Sequence, residues 1–423
     1  MAFKSEPGKA GSAQEAYQQK AMKERQQFLD RARHNALLTV PSLMPPEGHD
    51  GKQHLLDPYQ GLGAAGSMHL SSRLNTALLP AGRPHMRFNV PPAIRMENDG
   101  KVPEELEVGL ALAEQLVQQE VEDKGWRPST LMALQQDIVC GNHLEHQLED
   151  NFLRIFRLDQ YIVRRDYAGR VLEVILEECL TADTLPPGMT VTGRDGYDEV
   201  KLYTWIRRDR EILEVHQEID DGTKVSDTVR YTDEDLPYNP VRWSWTPGED
   251  YGRAFVEEHS SDLRALDSLT KAELEMAAMA SRNFIAVRPG AASATVKRRL
   301  TQAINGDIMM IDPDMVDLKS FDNPSGFQLV NAKTQQLVDQ ISRAFLLQSV
   351  GQRDAERVTA TEIERDIQEL EAALGGNFSN LNNEMMEKRT RMLVRNMMRD
   401  GKLPPEITEI ATPTVLTGLE AVS

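Results

Sequence analysis

The stretch Ser349–Met386, SVGQRDAERVTATEIERDIQELEAALGGNFSNLNNEMM, decides how the rest of the chain is read. Its second part sets Ile363, Ile367, Leu370, Leu374, Phe378, Leu381 and Met385 at steps of three and four residues, which makes one apolar stripe along a helix. Thr361 with Glu364, or Thr359 with Glu362, supplies a capping box at the start. Gly375 and Gly376 fall inside the stripe without shifting its register. A glycine costs a helix roughly 1 kcal/mol against alanine, so the pair marks either a bend or a close approach by a neighbouring backbone. The first part, Val350 to Ala360, has the opposite character: Arg353, Asp354, Glu356 and Arg357 leave only Val350 and Val358 as sizeable apolar groups. It reads as an exposed polar loop between two helices.

Upstream of that loop, Asn331 to Ser349 reads as a helix, with Leu337, Ile341, Ala344, Phe345 and Leu347 on one side. Tyr251 to Asn283 reads as a longer one, about 50 Å from end to end at 1.5 Å per residue. Its latter half, LEMAAMAS, is rich in alanine and methionine, as suits helices packed closely side by side. Between them a mixed segment from Phe284 to Val330 carries short apolar pieces and the basic triplet Lys297-Arg298-Arg299. Towards the N-terminus, Gln14 to Leu38, Gly61 to Leu79, Glu104 to Lys124 and Pro128 to about Leu148 read as helices, and residues 1–12 as a flexible arm. Gly63, Ala64, Ala65, Gly66 and Ser67 let a neighbour approach closely, either as a buried first turn or as a contact between chains. From Phe152 the period changes to two. Phe152–Phe156, Tyr161–Arg165, Val171–Glu177, Val200–Arg207, Ile212–Glu218 and Val225–Tyr231 read as antiparallel strands divided by turn signals such as Asp220-Asp221-Gly222. The fold class is therefore α+β: predominantly helical and elongated, with a β-rich insertion.

A chain of 423 residues is long enough for two or three domains, yet aromatics are only 6% and mean hydropathy is −0.48. That balance suits an elongated subunit burying surface against copies of itself, with an ordinary soluble helical protein as the plainer reading. The net charge of −18 counts against a protein that grips nucleic acid by bulk attraction, and permits one that lines a passage for a polyanion. Cys140 and Cys179 are the only cysteines, so no disulfide framework is expected and both read as reduced core residues. No run of eighteen apolar residues is present, so no membrane span or membrane partner is expected.

No catalytic residue, metal site or cofactor can be nominated, and the chain does not read as an enzyme. His143 and His146 in HLEH lack a third ligand and read as surface histidines of a helix. Gly48 to Lys52 is too short for a phosphate-binding loop, and Asp312, Asp314 and Asp317 lack the glycine and distal glutamate of a calcium loop. Two basic features stand out. Arg353 and Arg357, with Gln352, could touch a DNA backbone without sequence preference, or could pair with Asp354 and Glu356. Lys297, Arg298 and Arg299 could meet an acidic protein surface or line an exit for DNA, or could form a plain solvated turn.

The run QRDAERVTATEI…ELEAALGG resembles the loop-and-helix segment of the head-to-tail connectors, or portal proteins, of short-tailed bacteriophages. Three further pieces in the same order carry the likeness: Asp57 to Pro80, Leu236 to Leu269 (LPYNPVRWSW…EDYGRAFVEEHSSDLRALDSL) and Pro413 to Val422 (PTVLTGLEAV). The resemblance implies an arm at 1–12, a wing at 13–250, a first stem helix at 251–283 and a clip at 284–330. A second stem helix at 331–349, a tunnel loop at 350–360 and a return into the wing and crown base at 361–423 follow. It also implies a homo-oligomeric ring, twelve-fold in the family, in the virion at a capsid vertex. Double-stranded DNA would pass through it, with the terminase large subunit, a tail adaptor, the major capsid protein and scaffold protein as partners, after assembly in the host cytoplasm. Gln352, Arg353 and Arg357 would face the DNA channel, and Lys297, Arg298 and Arg299 would lie on the docking clip. Relatives continue past the TGLEA segment into a crown, whereas this sequence stops at Ser423, so a minimal crown or a truncated chain is expected. The alternative is a non-viral oligomeric scaffold with no DNA role.

Overall fold

Gly141 is the point at which helix gives way to sheet. In the computed structural model, helix α5 (Trp126–Cys140) ends there because Gly141 adopts φ 78°, the left-handed conformation that favours glycine. A Cβ at this position would fall 2.6 Å from Ala254 N and 2.7 Å from the Arg253 carbonyl carbon. The helix expected to run to Leu148 therefore stops at Cys140, and Asn142–Gln147 forms a strand, β2. The structure describes residues 11–20, 25–49, 51–80, 84–91, 103–186, 189, 195–280, 283–287, 289, 293–302, 316–320, 324–347, 369–404 and 412–415.

Helices α1 (Ala13–Lys20), α2 (Gln26–Leu37), α3 (Leu62–Leu78), strand β1 (Met86–Asn89) and α4 (Glu104–Asp123) precede α5. Strand β2 sits at the centre of a three-stranded antiparallel sheet between β3 (Leu153–Phe156) and β9 (Tyr238–Arg242). The remaining strands of this region, β4 (Tyr161–Arg165), β5 (Val171–Thr181), β6 (Glu199–Asp209), β7 (Ile212–Ile219) and β8 (Val229–Tyr231), form a five-stranded antiparallel meander in chain order. The period-two reading located this meander, although β5 runs on to Thr181 and β8 starts only at Val229. Cys140 is buried as expected, but Cys179 is exposed, because it lies near the outer end of β5.

Helix α6 (Phe255–Ala280) spans 26 residues, about 39 Å. It starts four residues later than its sequence pattern suggests, because Asp250 and Tyr251 serve the sheet instead. The Val163 amide donates to Tyr251 Oη at 3.1 Å and the Arg165 amide to Asp250 Oδ1 at 2.6 Å, which occupies the free edge of β4. Beyond α6, β10 (Asn283–Val287) pairs with β11 (Val316–Ser320), and α7 (Ser293–Gln302) lies between them in sequence. Helix α8 (Pro324–Ala344) starts with a proline, seven residues before the expected Asn331, and returns alongside α6.

Residues 369–374 are helical, and Gly375 (φ 52°, ψ −125°) then separates them from α9 (Gly376–Leu381). A Cβ on either Gly375 or Gly376 would meet nothing within 4 Å, so the pair marks a bend and not a close approach. A π-helical turn (Asn382–Met386) joins α9 to α10 (Glu387–Arg399). Leu370, Leu374, Phe378, Leu381 and Met385 of the apolar stripe are all buried, whereas Ile363, Ile367 and both proposed capping boxes lie outside the described residues. Strand β12 (Thr412–Val415) pairs antiparallel with β1. One hydrophobic cluster joins α2 to α6, α8, α10 and parts of the sheets, and smaller clusters lie under α1 and at the outer end of the meander.

Glycines set two of the closest contacts. A Cβ at Gly66 would meet the Phe345 ring at 2.7 Å, and one at Gly63 would collide with the Leu38 carbonyl oxygen. The small residues of α3 thus admit neighbours from within the same chain. Replacing Gly66 by alanine should cost about 1–3 kcal/mol, because the aromatic side chain has to shift. Gly141→Ala should cost more, about 2–5 kcal/mol, because left-handed strain adds to a backbone clash. Urea denaturation of the two variants measures both, and an equal or smaller loss for Gly141→Ala would contradict this account.

Candidate functional site

Two regions carry the features that a structural subunit needs: the free end of the α6/α8 hairpin, and the surface on which α10 is docked. The hairpin is antiparallel. Leu263, Leu266, Leu337 and Ile341 are buried between its helices and the surrounding core, Thr334 Oγ1 donates to Glu273 Oε1 at 2.7 Å, and Gln340 Nε2 donates to Asp262 Oδ2 at 2.9 Å. At its base Phe345 stands edge-on to Phe255, with centroids 5.2 Å apart, and fills the space left open by Gly66. Towards the free end the packing thins. Leu274 and Met279 on α6 are 56% and 51% exposed, and Phe327 and Leu329 on α8 are 42% and 74% exposed. A single exposed leucine is ordinary, but large apolar side chains on both helices of one hairpin end mark a surface meant to be covered. Beside α6, the Asp267 carboxylate accepts the amides of Tyr59 and Gln60, and Lys271 lies over the Tyr59 ring, so residues 59–60 are strapped to the helix.

Lys297, Arg298 and Arg299 share the exposed side of α7, whose Val296 is buried. They form part of a helix and not a turn. Gln352, Arg353 and Arg357 lie outside the described residues. The structure therefore brings the basic triplet together on one helix and leaves the loop residues as sequence readings.

The docking of α10 rests on groups that the sequence reading did not single out. Arg389 is almost fully buried, and its guanidinium holds Glu145 of β2 through Nε and Nη2 while Nη1 donates to Thr130 Oγ1 at 2.8 Å. Glu145 also faces His143 Nε2 at 2.7 Å, and His143 Nδ1 faces Asp137 of α5 at the same distance. Burial works against the charged form of Glu145, but Arg389 and His143 overcome it and hold its pKa at about 2. Thr390, the next residue, is 3.3 Å from His85, whose other ring nitrogen meets Gln118; burial pushes the His85 pKa down to about 4. Four residues before Lys388, the π-turn glutamate Glu384 takes the backbone amide and the guanidinium of Arg242, while its own carbonyl accepts Asn239 Nδ2 at 2.7 Å.

The two histidines of HLEH are therefore strand residues in the interior, not surface groups of a helix. His146 stacks on Tyr238 at 4.1 Å, and burial, aided by nearby Arg154, lowers its pKa to about 3. Among the described residues, no group of three or more histidine, cysteine, aspartate or glutamate side chains is placed to hold a metal ion, and no helix is long and apolar enough to cross a membrane.

This architecture, of long paired helices with a β-rich insertion and a helical return, can be set against known families. The sequence profile described as bacteriophage head to tail connecting protein matches residues 12–421. The chain belongs to that family. It is 31% identical to the portal protein of Enterobacteria phage T3 over 413 residues, covering 94% of this chain and 77% of that one. It is 31% identical to the portal protein of Escherichia phage T7, with the same shares covered. A solved chain from the neck of an empty GTA particle is similar at 11% identity and a TM-score of 0.41, over 79% of this chain and 78% of that one. The connector thus has the α+β portal fold that its relatives' sequences imply.

Removing one partner from a buried ion pair strands the other, at a typical cost of about 3–5 kcal/mol. Arg389→Ala should therefore lower the stability of the unassembled subunit by about that much. Arg391→Ala, which breaks only the exposed pair with Glu387, should change it by less than about 1 kcal/mol. Chemical denaturation of both variants checks the contrast, and similar losses would show that the buried pair does not anchor α10.

Proposed function

We infer that this chain assembles into a closed ring that works as a phage portal, the channel at one capsid vertex through which DNA is packaged, retained and ejected. The observation that carries the reading is the match to portal relatives along nearly the whole chain, residues 12–421. Twelve subunits per ring is the count we propose. The α6/α8 hairpin serves as the stem, β10–α7–β11 as the clip, the sheets with α2–α5 as the wing, and residues 350–360 as the tunnel loop. The reading assigns the chain no chemical step; the terminase large subunit would drive packaging from the clip side, and a tail adaptor would replace it there. Capsid and scaffold proteins would seat the ring while the particle forms in the host cytoplasm.

Physical considerations favour this arrangement. A ring built head to tail needs two different faces on each subunit, one complementary to the other. The hairpin offers exposed apolar groups on two separate helices, Leu274 and Met279 on one and Phe327 and Leu329 on the other. With a net charge of −18 each, subunits repel at long range, so adhesion has to come from short-range apolar contact. The same charge keeps DNA off the wall, with a reach of about 8 Å at physiological salt. Against that background Arg353 and Arg357 would supply the few weak phosphate contacts that retain DNA.

Light scattering with negative-stain imaging of the purified protein should show rings with an axial hole. Leu274→Glu combined with Leu329→Glu should yield monomers with unchanged circular dichroism; rings of normal yield would exclude the hairpin end as the contact. Separately, Arg353→Glu with Arg357→Glu should leave rings intact and lower the DNA retained in particles. Normal DNA content in such particles would remove the loop from the mechanism.

A further inference from the structure

The cluster of Asp137, His143, Glu145 and Arg389 is closed to water. Each ring nitrogen of His143 lies 2.7 Å from a carboxylate oxygen, Nδ1 from Asp137 Oδ1 and Nε2 from Glu145 Oε1. An ionised carboxylate only accepts, so with Asp137 and Glu145 both charged the two nitrogens donate and the ring is an imidazolium; burial acts against this by raising the Asp137 pKa. The two carboxylates are then balanced by two cations, His143 and Arg389. Glu145 Oε1 is moreover the oxygen that receives Arg389 Nη2. One atom thus connects the proton on His143 to the docking of α10.

We propose that His143 is a proton-operated latch for α10. With both nitrogens protonated, it clasps α5 and β2 together and lets Glu145 Oε1 stand where Arg389 can take it. When the Nε2 proton leaves to solvent, a lone pair faces Oε1 at 2.7 Å and the site carries one uncompensated negative charge. Glu145 is pushed off its alignment, and Arg389 loses its bidentate partner. The other charged or titratable groups turned towards the cluster are Lys388 on α10, which acts on Glu145, and Tyr161 on β4 and Cys140 at the end of α5, which act on Asp137. None of them hydrogen-bonds to His143.

The direction of the pH effect follows. Burial opposes the charged ring, but Asp137 and Glu145 outweigh it and lift the His143 pKa from 6.5 to about 9. The stabilisation is therefore complete below about pH 6.5 and is lost as pH rises through about 9. Acid leaves the latch closed; alkali opens it.

Hydrogen exchange of the full-length protein, followed by mass spectrometry from about pH 5.5 to about pH 10.5 and corrected for intrinsic rates, tests this. Protection of the peptide spanning α10 should be complete below about pH 6.5, fall roughly tenfold per pH unit between about 6.5 and 9, and level off above that. Asp137→Asn is the decisive variant. It removes one carboxylate, so a neutral His143 can accept at Nδ1 from the side-chain amide that the substitution introduces, and still donate to Glu145. In that variant α10 should stay protected and lose the fall between about pH 6.5 and 9; Lys388, whose pKa burial lowers to about 8, acts in the opposite sense, because a depressed lysine pKa makes stability rise with pH. A wild-type profile that is flat across the whole range would overturn the proposal. So would a loss of protection with rising pH that survives in Asp137→Asn, which would assign it to a group other than His143. If the variant fails to fold, the presence or absence of the wild-type step decides the matter.

Discussion

A guanidinium placed where water cannot reach it governs how this subunit holds together. Arg389 reaches Glu145 across 244 residues of sequence, and the residues flanking that pair fasten α10 to three other elements. Desolvating two charges is expensive, and only the full set of donors around Glu145 makes the arrangement tolerable. The same exacting geometry gives the return helix one seat, whereas apolar side chains alone would accept several nearby registers. Met385, Leu393 and Met397 supply the burial, while Arg389, Thr390 and Glu384 supply the alignment.

Sheet edges follow a similar logic. The edge of β4 is occupied by Tyr251 and Asp250, that of β9 by Glu384, and the Phe88 amide of β1 by Glu114. Each capping group sits on or beside a helix that must be placed accurately. The edges are thereby kept from pairing with other chains, and the helices gain a fixed reference in the sheet. Arg165 extends this at the base of the α6/α8 hairpin, where its guanidinium reaches the carbonyls of Asp250, Gly169 and Pro240.

Much of the architecture was legible from spacing alone. The stripe from Leu370 to Met385, the two hairpin helices and the meander all declare themselves, because each has one wet face and one dry face. Strand β2 did not. Five of its six residues are buried, so HLEHQ shows no alternation, and its neighbours continued the helical reading of α5. Strands β1 and β12 are four residues each, and Pro413 argues against a strand at the latter. Arg389 hides in the charged run EKRTR, yet it follows Met385 by four residues and precedes Leu393 by four, squarely in the apolar stripe. A charge at such a position requires a buried partner, and that was the available signal. The histidine cluster was misread for the same reason as β2: once the segment is a strand, His143 and Glu145 share a face, and a pairing between them becomes natural. The basic triplet Lys297-Arg298-Arg299 was visible as composition, but its placement on a helix was not.

The pairing of β1 with β12 joins residues 86–89 to residues 412–415. During synthesis the first of these emerges more than three hundred residues before its partner exists. The surfaces that receive β12 and α10 stay open until then, so an unfinished chain offers raw core to its surroundings. Synthesis of the segment that carries β12 is thus itself a checkpoint: only a subunit in which both strands have met has the closed surface with which to join a ring.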